Sequence, residues 1–385
     1  MKTPTASPSA SPAAGAPATT EVVTEDRTRA LVKHAEDAMR RRDYAIAADL
    51  LSLTGGDRDG HGSTERLYNR AIRGIVPRWH FSMLNDRGRN DAYREAIHAQ
   101  VRPGDLVLDI GTGSGLLALL AAEAGAEHVV SCEMEPLIAA AARTIIADNG
   151  MSDRITVVEG MSTDLRMGVD LPRRADVLVS EIFDCALLGE GALPAFAHAR
   201  AELLTPEAVV VPGRARLWGQ LIHSPELHAH NHVAEACGFD VSHFLRFRSL
   251  EYFSTYLDTY VHRPLSDPFP LMDFDFRTGA GATEVATAPV ATGSGTCHAI
   301  AMWFELDMGA DGTLSNGPHI RGTHWRQAVQ TFDRPPLAAA GAPFPLLADH
   351  DGERVLVRPD TPVRPDTPVR PGADDFTDNG TDGLD

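Results

Sequence analysis

The central part of the chain alternates short apolar runs with stretches of helical periodicity. The runs predict buried strands, and they lie at residues 106–110, 128–132, 155–159, 177–180 and 208–211. Helical patterns fill the gaps between them, most clearly at residues 116–124 and 135–149. Because strands that alternate with helices form parallel sheets, we predict a doubly wound, Rossmann-like α/β domain over residues 63–211.

The pattern changes after residue 211, where helical periodicity fades and short β-type runs replace it. These runs lie at residues 217–222, 271–276, 298–306 and 355–357, separated by frequent Gly and Pro. They predict a second, β-barrel-like domain over residues 212–357. A more helical stretch predicts a helical insertion in that domain at about residues 228–247.

The two ends of the chain have compositions that do not favour a packed core. Residues 1–22 are rich in Pro, Ala, Ser and Thr, and residues 358–385 are rich in Pro and acidic residues, so both are predicted to be disordered. Residues 23–62 predict a helical hairpin that turns near Arg42 and Asp43 and runs into a Gly-rich linker. This hairpin either packs on the main domain or is one tetratricopeptide-like unit that binds a partner.

Composition narrows the classes of function. The net charge of −18 at pH 7 argues against a nucleic-acid-binding protein, which normally presents a basic face. No apolar run is long enough for a transmembrane helix and the N-terminus lacks a signal-peptide core, so we expect no membrane association and a cytoplasmic location. Four cysteines without metal-ligand spacing predict reduced thiols and no metal site. The lysines are Lys2 and Lys33 alone, a scarcity that with abundant Ala and Arg is typical of a GC-rich bacterial genome.

A glycine-rich turn follows the first predicted strand. Gly111, Gly113 and Gly115 separate that strand from the next helix, so the backbone and the unpaired N–H groups of the helix start can approach a ligand closely. The second strand ends at Glu133, whose carboxylate suits two ribose hydroxyls. The Gly-x-Gly-x-Gly spacing favours S-adenosylmethionine (SAM) over NAD, while a structural role or another nucleotide remains an alternative.

An acidic segment follows the fourth predicted strand, at the sheet edge where ligands bind. Glu181 and Glu190 flank it, and we call residues 181–190 the acidic loop. Two carboxylates can hold a guanidinium from two sides, because that planar cation presents a fixed fork of N–H donors. The alternative is a pair of solvated surface charges.

The whole arrangement resembles the protein arginine methyltransferase family. The acidic loop resembles that family's double-glutamate loop, residues 83–89 (Met-Leu-Asn-Asp-Arg-Gly-Arg) resemble its cofactor-lid motif, and residues 323–325 match its Thr-His-Trp loop. These motifs occur in the family's order between Leu67 and Phe332. The acidic loop with the Gly-Ala-Leu-Pro that follows it, together with the Asn-Asp-Arg-x-Arg-Asn run, is nearest the type III, monomethylating branch.

The resemblance implies roles for individual residues. Those implied to bind SAM are Arg89, Asp109, Gly111, Gly113, Gly115, Glu133, Met134, Ser162, Thr163 and Glu181. Those implied to bind the substrate are Glu181, Glu190, Trp325 and Met83, and those implied to take part in catalysis are Glu181, Glu190, Asp86 and His324. Asp86 and His324 are expected to pair across the two domains and close the pocket. We also expect a homodimer.

The resemblance implies a SAM-dependent methyltransferase, and the favoured substrate is free L-arginine. Methylation of a terminal guanidino nitrogen would give N-omega-methyl-L-arginine in bacterial specialised metabolism. Peptidyl arginine is the alternative substrate. Two further hypotheses are a silent scaffold that keeps the fold and a methyltransferase for a hydroxyl or carboxylate acceptor, for which paired acids would serve little purpose. Binding of SAM separates the enzymes from the scaffold.

Overall fold

The computed structural model describes residues 25–55, 62–309 and 312–360. These fall in two compact units, Met1–Ser82 and Met83–Asp385. The predicted disorder of residues 1–22, the centre of the predicted linker and the predicted tail from residue 361 onward lie outside the described residues. The first unit continues past Gly62, where the sequence placed the domain boundary, because further helices follow the linker.

The first unit is helical. Its helices are α1 (Glu25–Arg40), α2 (Tyr44–Ser52) and α3 (Ser63–Ile75), and α4 (Trp79–Leu84) spans the division between the units. Arg42 and Asp43 lie between α1 and α2, and the Asp43 carboxylate caps α2 by accepting the Ile46 N–H at 3.4 Å. Gly74 lies against the Tyr44 ring, where an added Cβ would come within 2.4 Å of a ring carbon. The absence of a side chain at Gly74 therefore lets α3 approach α2 closely.

The second unit begins with a parallel α/β layer. Its elements are α5 (Arg87–Gln100), β1 (Leu106–Ile110), α6 (Leu116–Ala124), β2 (His128–Glu133), α7 (Pro136–Asp148), β3 (Ile155–Glu159), β4 (Ala175–Ser180), α8 (Ala192–His198) and β5 (Leu204–Val211). The strands pair in parallel in the order β3-β2-β1-β4-β5. From β1 the chain adds β2 and β3 on one side of the sheet, and then β4 and β5 on the other side. The topological switch point therefore lies between β1 and β4, and ligands are expected beyond the carboxyl ends of these two strands.

An antiparallel region follows. Its elements are β6 (Arg214–His223), α9 (Pro225–Ala229), β7 (Glu235–Ala236), β8 (Phe239–Asp240), β9 (Phe253–Thr255), β10 (Arg263–Pro264), β11 (Phe269–Asp275), β12 (Ala280–Gly281), β13 (Glu284–Thr287), β14 (Gly295–Thr296), β15 (Ala299–Gly309), β16 (Gly312–Ser315), β17 (Gln327–Thr331), β18 (Leu337–Ala338), β19 (Leu346–His350) and β20 (Val355–Pro359).

The antiparallel strands form one large sheet and several small ones. The large sheet has eight strands in the main order β12-β11-β6-β15-β17-β9, with β10 beside β6 and β16 beside β15. Among the described residues, the three-stranded sheet β13-β19-β20 makes no strand pairing with the large sheet. The pairing therefore establishes an antiparallel sheet domain, and closure into a barrel stays a prediction. Arg358 and Pro359 belong to β20, so the prediction that the tail begins at residue 358 was wrong.

The predicted insertion at residues 228–247 is only partly helical. After α9 the chain forms a two-stranded hairpin of β7 and β8, followed by a 3-10 helix at Ser242–Phe247. Cys237 and Gly238 form the hairpin turn with positive φ angles of 54° and 82°. Two adjacent residues with positive φ favour a tight hairpin and cannot continue an α-helix.

An aromatic cluster joins the parallel layer to the antiparallel sheet within the second unit. The Phe183 ring, in the acidic loop, lies 5.7 Å from Phe276 and 6.4 Å from Phe304, and Phe196 of α8 lies 4.7 Å from Phe276. All four side chains are buried. The apolar packing therefore anchors the loop that carries Glu181 and Glu190. Among the described residues, no helix has both the length and the apolar character needed to cross a membrane.

Candidate active site

The glycine loop after β1 requires glycine for its conformation. Gly111, Gly113 and Gly115 have positive φ angles of 88°, 52° and 83°. An added Cβ at Gly111 would also lie 2.6 Å from the Ile182 side chain of the acidic loop. The N–H groups of Gly111 and Thr112 both donate to the Cys132 carbonyl at 3.0 Å, which fixes the loop against the end of β2.

Glu133 organises the same loop from the end of β2. One carboxylate oxygen accepts the Gly113 N–H at 3.0 Å, and the other accepts the Glu135 N–H at 3.0 Å. The side chain is buried. Each carboxylate oxygen can accept more than one hydrogen bond, so Glu133 keeps acceptor capacity for the ribose hydroxyls assigned to it.

Two buried polar atoms near the carboxyl end of β1 have no hydrogen-bond partner among the described residues. They are Asp109 Oδ1, an acceptor, and Arg89 Nε, a donor. Burial raises the pKa of Asp109 to about 7, although the hydrogen bond from the Ser131 hydroxyl to Oδ2, at 2.6 Å, opposes that shift. An orphan acceptor and an orphan donor suit the amino and carboxylate groups of an amino acid. The residues present therefore fit the methionine part of SAM.

Apolar side chains line the neighbouring strand ends. Met134 follows β2 and Met161 follows β3, and their side chains are exposed. Glu133 and Glu159 are register partners, so these methionines leave adjacent strands at the same sheet edge. Ser162 and Thr163 follow in a 3-10 turn. This edge therefore carries apolar surface and hydroxyl groups at the position where SAM binding is implied.

Arg89 and Glu181 form a buried ion pair that links the implied cofactor and substrate sites. Arg89 Nη2 lies 2.5 Å from Glu181 Oε2, and each side chain is only 4% exposed. A second guanidinium nitrogen, Nη1, donates to Asn90 Oδ1 at 2.9 Å, which leaves Nε for another acceptor. The resemblance implied that Arg89 binds SAM and that Glu181 binds both SAM and the substrate, without predicting this direct contact.

Glu190 lies at the far end of the acidic loop. Its residue is exposed to solvent, although protein atoms crowd around the carboxylate. This crowding, together with the negative charges of Glu181 and Asp184, raises the pKa of Glu190 to about 8. Two acids that interact in this way favour a cation between them.

The contact between Asp86 and His324 is present as predicted. Asp86 caps α5 by accepting the Arg89 N–H at 3.0 Å, and its second oxygen lies 2.8 Å from the His324 N–H and 2.9 Å from His324 Nδ1. Burial alone would raise the pKa of Asp86, but the hydrogen bonds from His324 and from the Arg89 N–H lower it to about 2. Asp86 therefore ties the start of α5 to the Thr-His-Trp loop.

Trp325 and Met83 are the other two residues that the resemblance implies for substrate binding. Trp325 is buried, and its indole N–H donates to the Phe183 carbonyl at 3.0 Å. The only side-chain donor of Trp325 is therefore used to hold the acidic loop. Met83 is half-buried near the end of α4, and its carbonyl accepts the Asp86 N–H at 3.1 Å. Contact of either residue with the substrate stays a prediction.

Sequence reasoning missed the residues that hold the acidic loop from the antiparallel domain. Asn316 is fully buried and donates to the Cys185 carbonyl at 3.0 Å. Tyr252 donates to Asp184 at 2.7 Å, and Arg354 lies 3.6 Å from the same carboxylate. Only Asp184 carried a signal, since it is a further acid inside the loop; the others are distant in sequence.

Known protein families and individual proteins are similar to this chain. A family model described as Ribosomal protein L11 methyltransferase matches residues 94–191, and one described as Arginine methyltransferase oligomerization subdomain matches residues 214–342. The chain is 48% identical over 275 residues to an Arginine N(omega)-methyltransferase of Streptomyces achromogenes, and the match covers 71% of this chain and 76% of that protein. The chain belongs to the arginine methyltransferase family.

More distant members of the arginine methyltransferase family also match. Protein arginine N-methyltransferase 7 of Drosophila ananassae is 31% identical over 70% of this chain, and the chain spans only 46% of that protein's length. Among solved structures, Trypanosoma brucei PRMT1, in an enzyme–prozyme heterotetrameric complex with AdoHcy, matches with a TM-score of 0.62 and 26% identity, over 70% of this chain and 86% of that one. The Rossmann-like methyltransferase fold and membership of an enzyme family that uses SAM are thus confirmed.

Glu133→Ala is expected to weaken SAM binding by about 10-fold to 100-fold, because hydrogen bonds to a charged group contribute about 1.5–3 kcal/mol. Isothermal titration calorimetry measures this directly. Glu127→Ala, an exposed acid before β2, is the control and should bind SAM as the wild type does. Unchanged SAM affinity in Glu133→Ala would remove Glu133 from the cofactor site.

Proposed function

We propose that this chain transfers a methyl group from SAM to a terminal guanidino nitrogen of free L-arginine and releases N-omega-methyl-L-arginine. The observation that carries the proposal is the acidic loop, where Glu181 contacts Arg89 and Glu190 interacts with Glu181. The relative at 48% identity is named for arginine itself, and this supports the free amino acid as substrate.

The cofactor would be held by the groups around the glycine loop. Asp109 Oδ1 and Arg89 Nε would pair with the amino and carboxylate groups of SAM, and Glu133 with its ribose hydroxyls. Met134 and Met161 would cover the adenine. When bound, SAM supplies an electrophilic methyl group on a sulfonium centre.

Glu181 and Glu190 would bind and orient the guanidinium. Their negative charge would draw the substrate's positive charge onto the nitrogens they hold, which leaves electron density on the nitrogen that attacks. Alignment of this kind can supply several kcal/mol of the barrier, and electrostatic complementarity supplies more. Asp86 and His324 would keep α5, and with it Arg89, in place during the reaction. The proton of the methylated product is lost after transfer, so no strong base is needed beforehand.

Substrate choice is tested by comparing arginine with agmatine, which lacks the carboxylate, and with N-acetyl-L-arginine amide, in which the amino and carboxylate groups are both blocked. L-Arginine should have the highest kcat/KM, and each of the other two compounds should lose at least about 5-fold, because unpaired buried polar groups cost about 1–3 kcal/mol each. The alternative substrate is peptidyl arginine, which the name of the Drosophila relative favours. Equal kcat/KM values for all three compounds would contradict recognition of the free amino acid.

The raised pKa of Glu190 predicts a pH dependence. Glu190 must be ionised to hold the guanidinium, and its pKa is raised to about 8. We therefore expect kcat/KM for arginine to rise with pH and to level off above about pH 8, since kcat/KM reports ionisations of the free enzyme. The fall of kcat/KM towards low pH is the acidic limb of the profile, and Glu190→Gln should lose it. An acidic limb that persists in this variant would assign the ionisation to another group.

We also propose a homodimer. Five large apolar side chains of the segment between α9 and β9 are exposed: Val233, Phe239, Phe244, Phe247 and Leu250. They lie inside the region that matches the oligomerization subdomain. An exposed apolar patch of this kind favours a protein interface. Light scattering after size-exclusion chromatography should give twice the chain mass, and a paired Phe244→Ser and Phe247→Ser variant should give the monomer mass.

A further inference from the structure

Asp184 lies at the centre of the turn that leads to Glu190. Its Oδ1 accepts the N–H groups of Ala186 and Gly189, both at 3.0 Å. An added Cβ at Gly189 would meet Asp184 Oδ2 at 2.3 Å, so this glycine lies directly against the carboxylate. Leu187, between the two bonded residues, has a positive φ of 83°. Because a non-glycine residue with positive φ is strained, the hydrogen bonds of Asp184 stabilise an otherwise unfavourable turn.

The other oxygen of Asp184 is held from distant parts of the chain. Tyr252 donates its hydroxyl hydrogen to Oδ2 at 2.7 Å, and Arg354 Nη1 lies 3.6 Å from the same oxygen. Arg354 also donates to the Tyr252 hydroxyl oxygen at 3.2 Å and stacks over its ring. Tyr252 precedes β9 of the large sheet, and Arg354 precedes β20 of the three-stranded sheet. One carboxylate thus connects the acidic loop to the large antiparallel sheet and to the three-stranded sheet.

We propose that Asp184 is a positioning residue for Glu190: held by Tyr252 and Arg354, it fixes the backbone turn that presents Glu190 to the guanidinium. Glu190 directly follows Gly189, whose N–H is held by Asp184 and which leaves no room for a side chain beside that carboxylate. An amide at residue 184 could accept the two N–H bonds, but its NH2 group could not also accept the Tyr252 hydroxyl hydrogen, so the carboxylate is needed to hold both sides of the turn. This inference rests on the proposed function, because it assigns a role within the guanidinium clamp.

The charge of Asp184 provides a readout that a purely structural role would not move. The carboxylates that raise the pKa of Glu190 are Glu181 and Asp184. Arg89 pairs with Glu181, and Arg354 lies beside Asp184, so each acid has its own cation. Removing the negative charge at residue 184 should lower the pKa of Glu190 and move the acidic limb of kcat/KM to lower pH.

The test compares Asp184→Asn, Tyr252→Phe and the control Asp349→Asn, which removes an acid paired with Arg358 in the three-stranded sheet. At a pH where Glu190 is ionised, Asp184→Asn should lower kcat/KM for L-arginine by about 10-fold to 100-fold, the effect of weakening a hydrogen bond to a charged group. The SAM affinity of Asp184→Asn, measured by calorimetry, should equal that of the wild type. The acidic limb of the kcat/KM profile of Asp184→Asn should move to lower pH. Tyr252→Phe should lower kcat/KM but keep the limb in place, because the charge remains.

The outcomes separate this inference from the proposed function. If the wild type methylates arginine and Asp184→Asn equals Asp349→Asn in both kcat/KM and pH profile, the positioning role is overturned and the function stands. A wild type that methylates neither arginine nor an arginine peptide overturns both. If Asp184→Asn does not fold, Tyr252→Phe decides: a lowered kcat/KM with unchanged SAM affinity supports the role, and wild-type kinetics overturn it.

Discussion

Replacing Glu190 by glutamine is expected to lower kcat/KM for L-arginine by about 100-fold or more, because the substrate loses a charge-assisted, bidentate hydrogen-bonded pair worth about 3 kcal/mol. SAM affinity should stay at the wild-type value, since Glu190 makes no contact with the glycine loop residues among the described hydrogen bonds. Steady-state kinetics with arginine and calorimetry with SAM measure the two effects separately.

Glu181→Gln should differ from Glu190→Gln in its effect on SAM binding. Glu181 pairs with Arg89, so its loss should weaken SAM binding as well as turnover. Glu284→Gln, an exposed glutamate near Arg358, is the control and should behave as the wild type. Near-normal kcat/KM in both Glu181→Gln and Glu190→Gln would contradict the guanidinium clamp.

The second large effect is expected at Asp86 and His324. Asp86→Ala should reduce the free energy of unfolding by about 2–4 kcal/mol, because it removes a helix cap and leaves buried N–H groups unpaired. His324→Ala should cost less, and the double variant should cost less than the sum of the two, as for any contacting pair. Chemical denaturation gives all three values, and strict additivity would show that the contact does not contribute.

The same pair gives a pH dependence of stability. The folded-state pKa of Asp86 is lowered to about 2. A depressed pKa means that the stabilisation is present above the unfolded pKa of about 4 and is lost as pH falls through the folded value. The wild type should therefore lose more stability than Asp86→Asn between about pH 4 and pH 2. Parallel curves for the two proteins would contradict this linkage.

The parallel sheet was predictable because its central strands, β1, β2 and β4, are almost continuously buried. Continuous apolar runs mark such strands, and β1, β3 and α6 have the predicted bounds. The glycine loop and Glu133 were predictable for the same reason, since they directly follow strands whose ends are clear in the sequence. The antiparallel strands had less accurate bounds because their burial alternates, as in β6 and β11.

The contacts that complete the site could not be predicted from the sequence pattern. Tyr252 lies 68 residues from Asp184 along the chain, and Arg354 lies a further 102 residues beyond Tyr252, so no local signal marks either residue. The hairpin at Cys237 depends on positive φ at a cysteine, which composition does not reveal. The Arg89–Glu181 pair became visible only when α5 and β4 were placed side by side. The sequence motifs thus identified Glu181 and Glu190, whereas only the fold identified the side chains that hold the acidic loop in place.

The most direct test is a single competition reaction analysed by mass spectrometry. The wild-type chain is incubated with SAM, equimolar free L-arginine and an arginine-containing peptide, with Glu190→Gln as the low-activity control. The account predicts monomethylated free arginine as the main product, an unmodified peptide, and methylation of arginine that is at least about 100-fold slower in the control. Methylated peptide together with unmodified free arginine would contradict it.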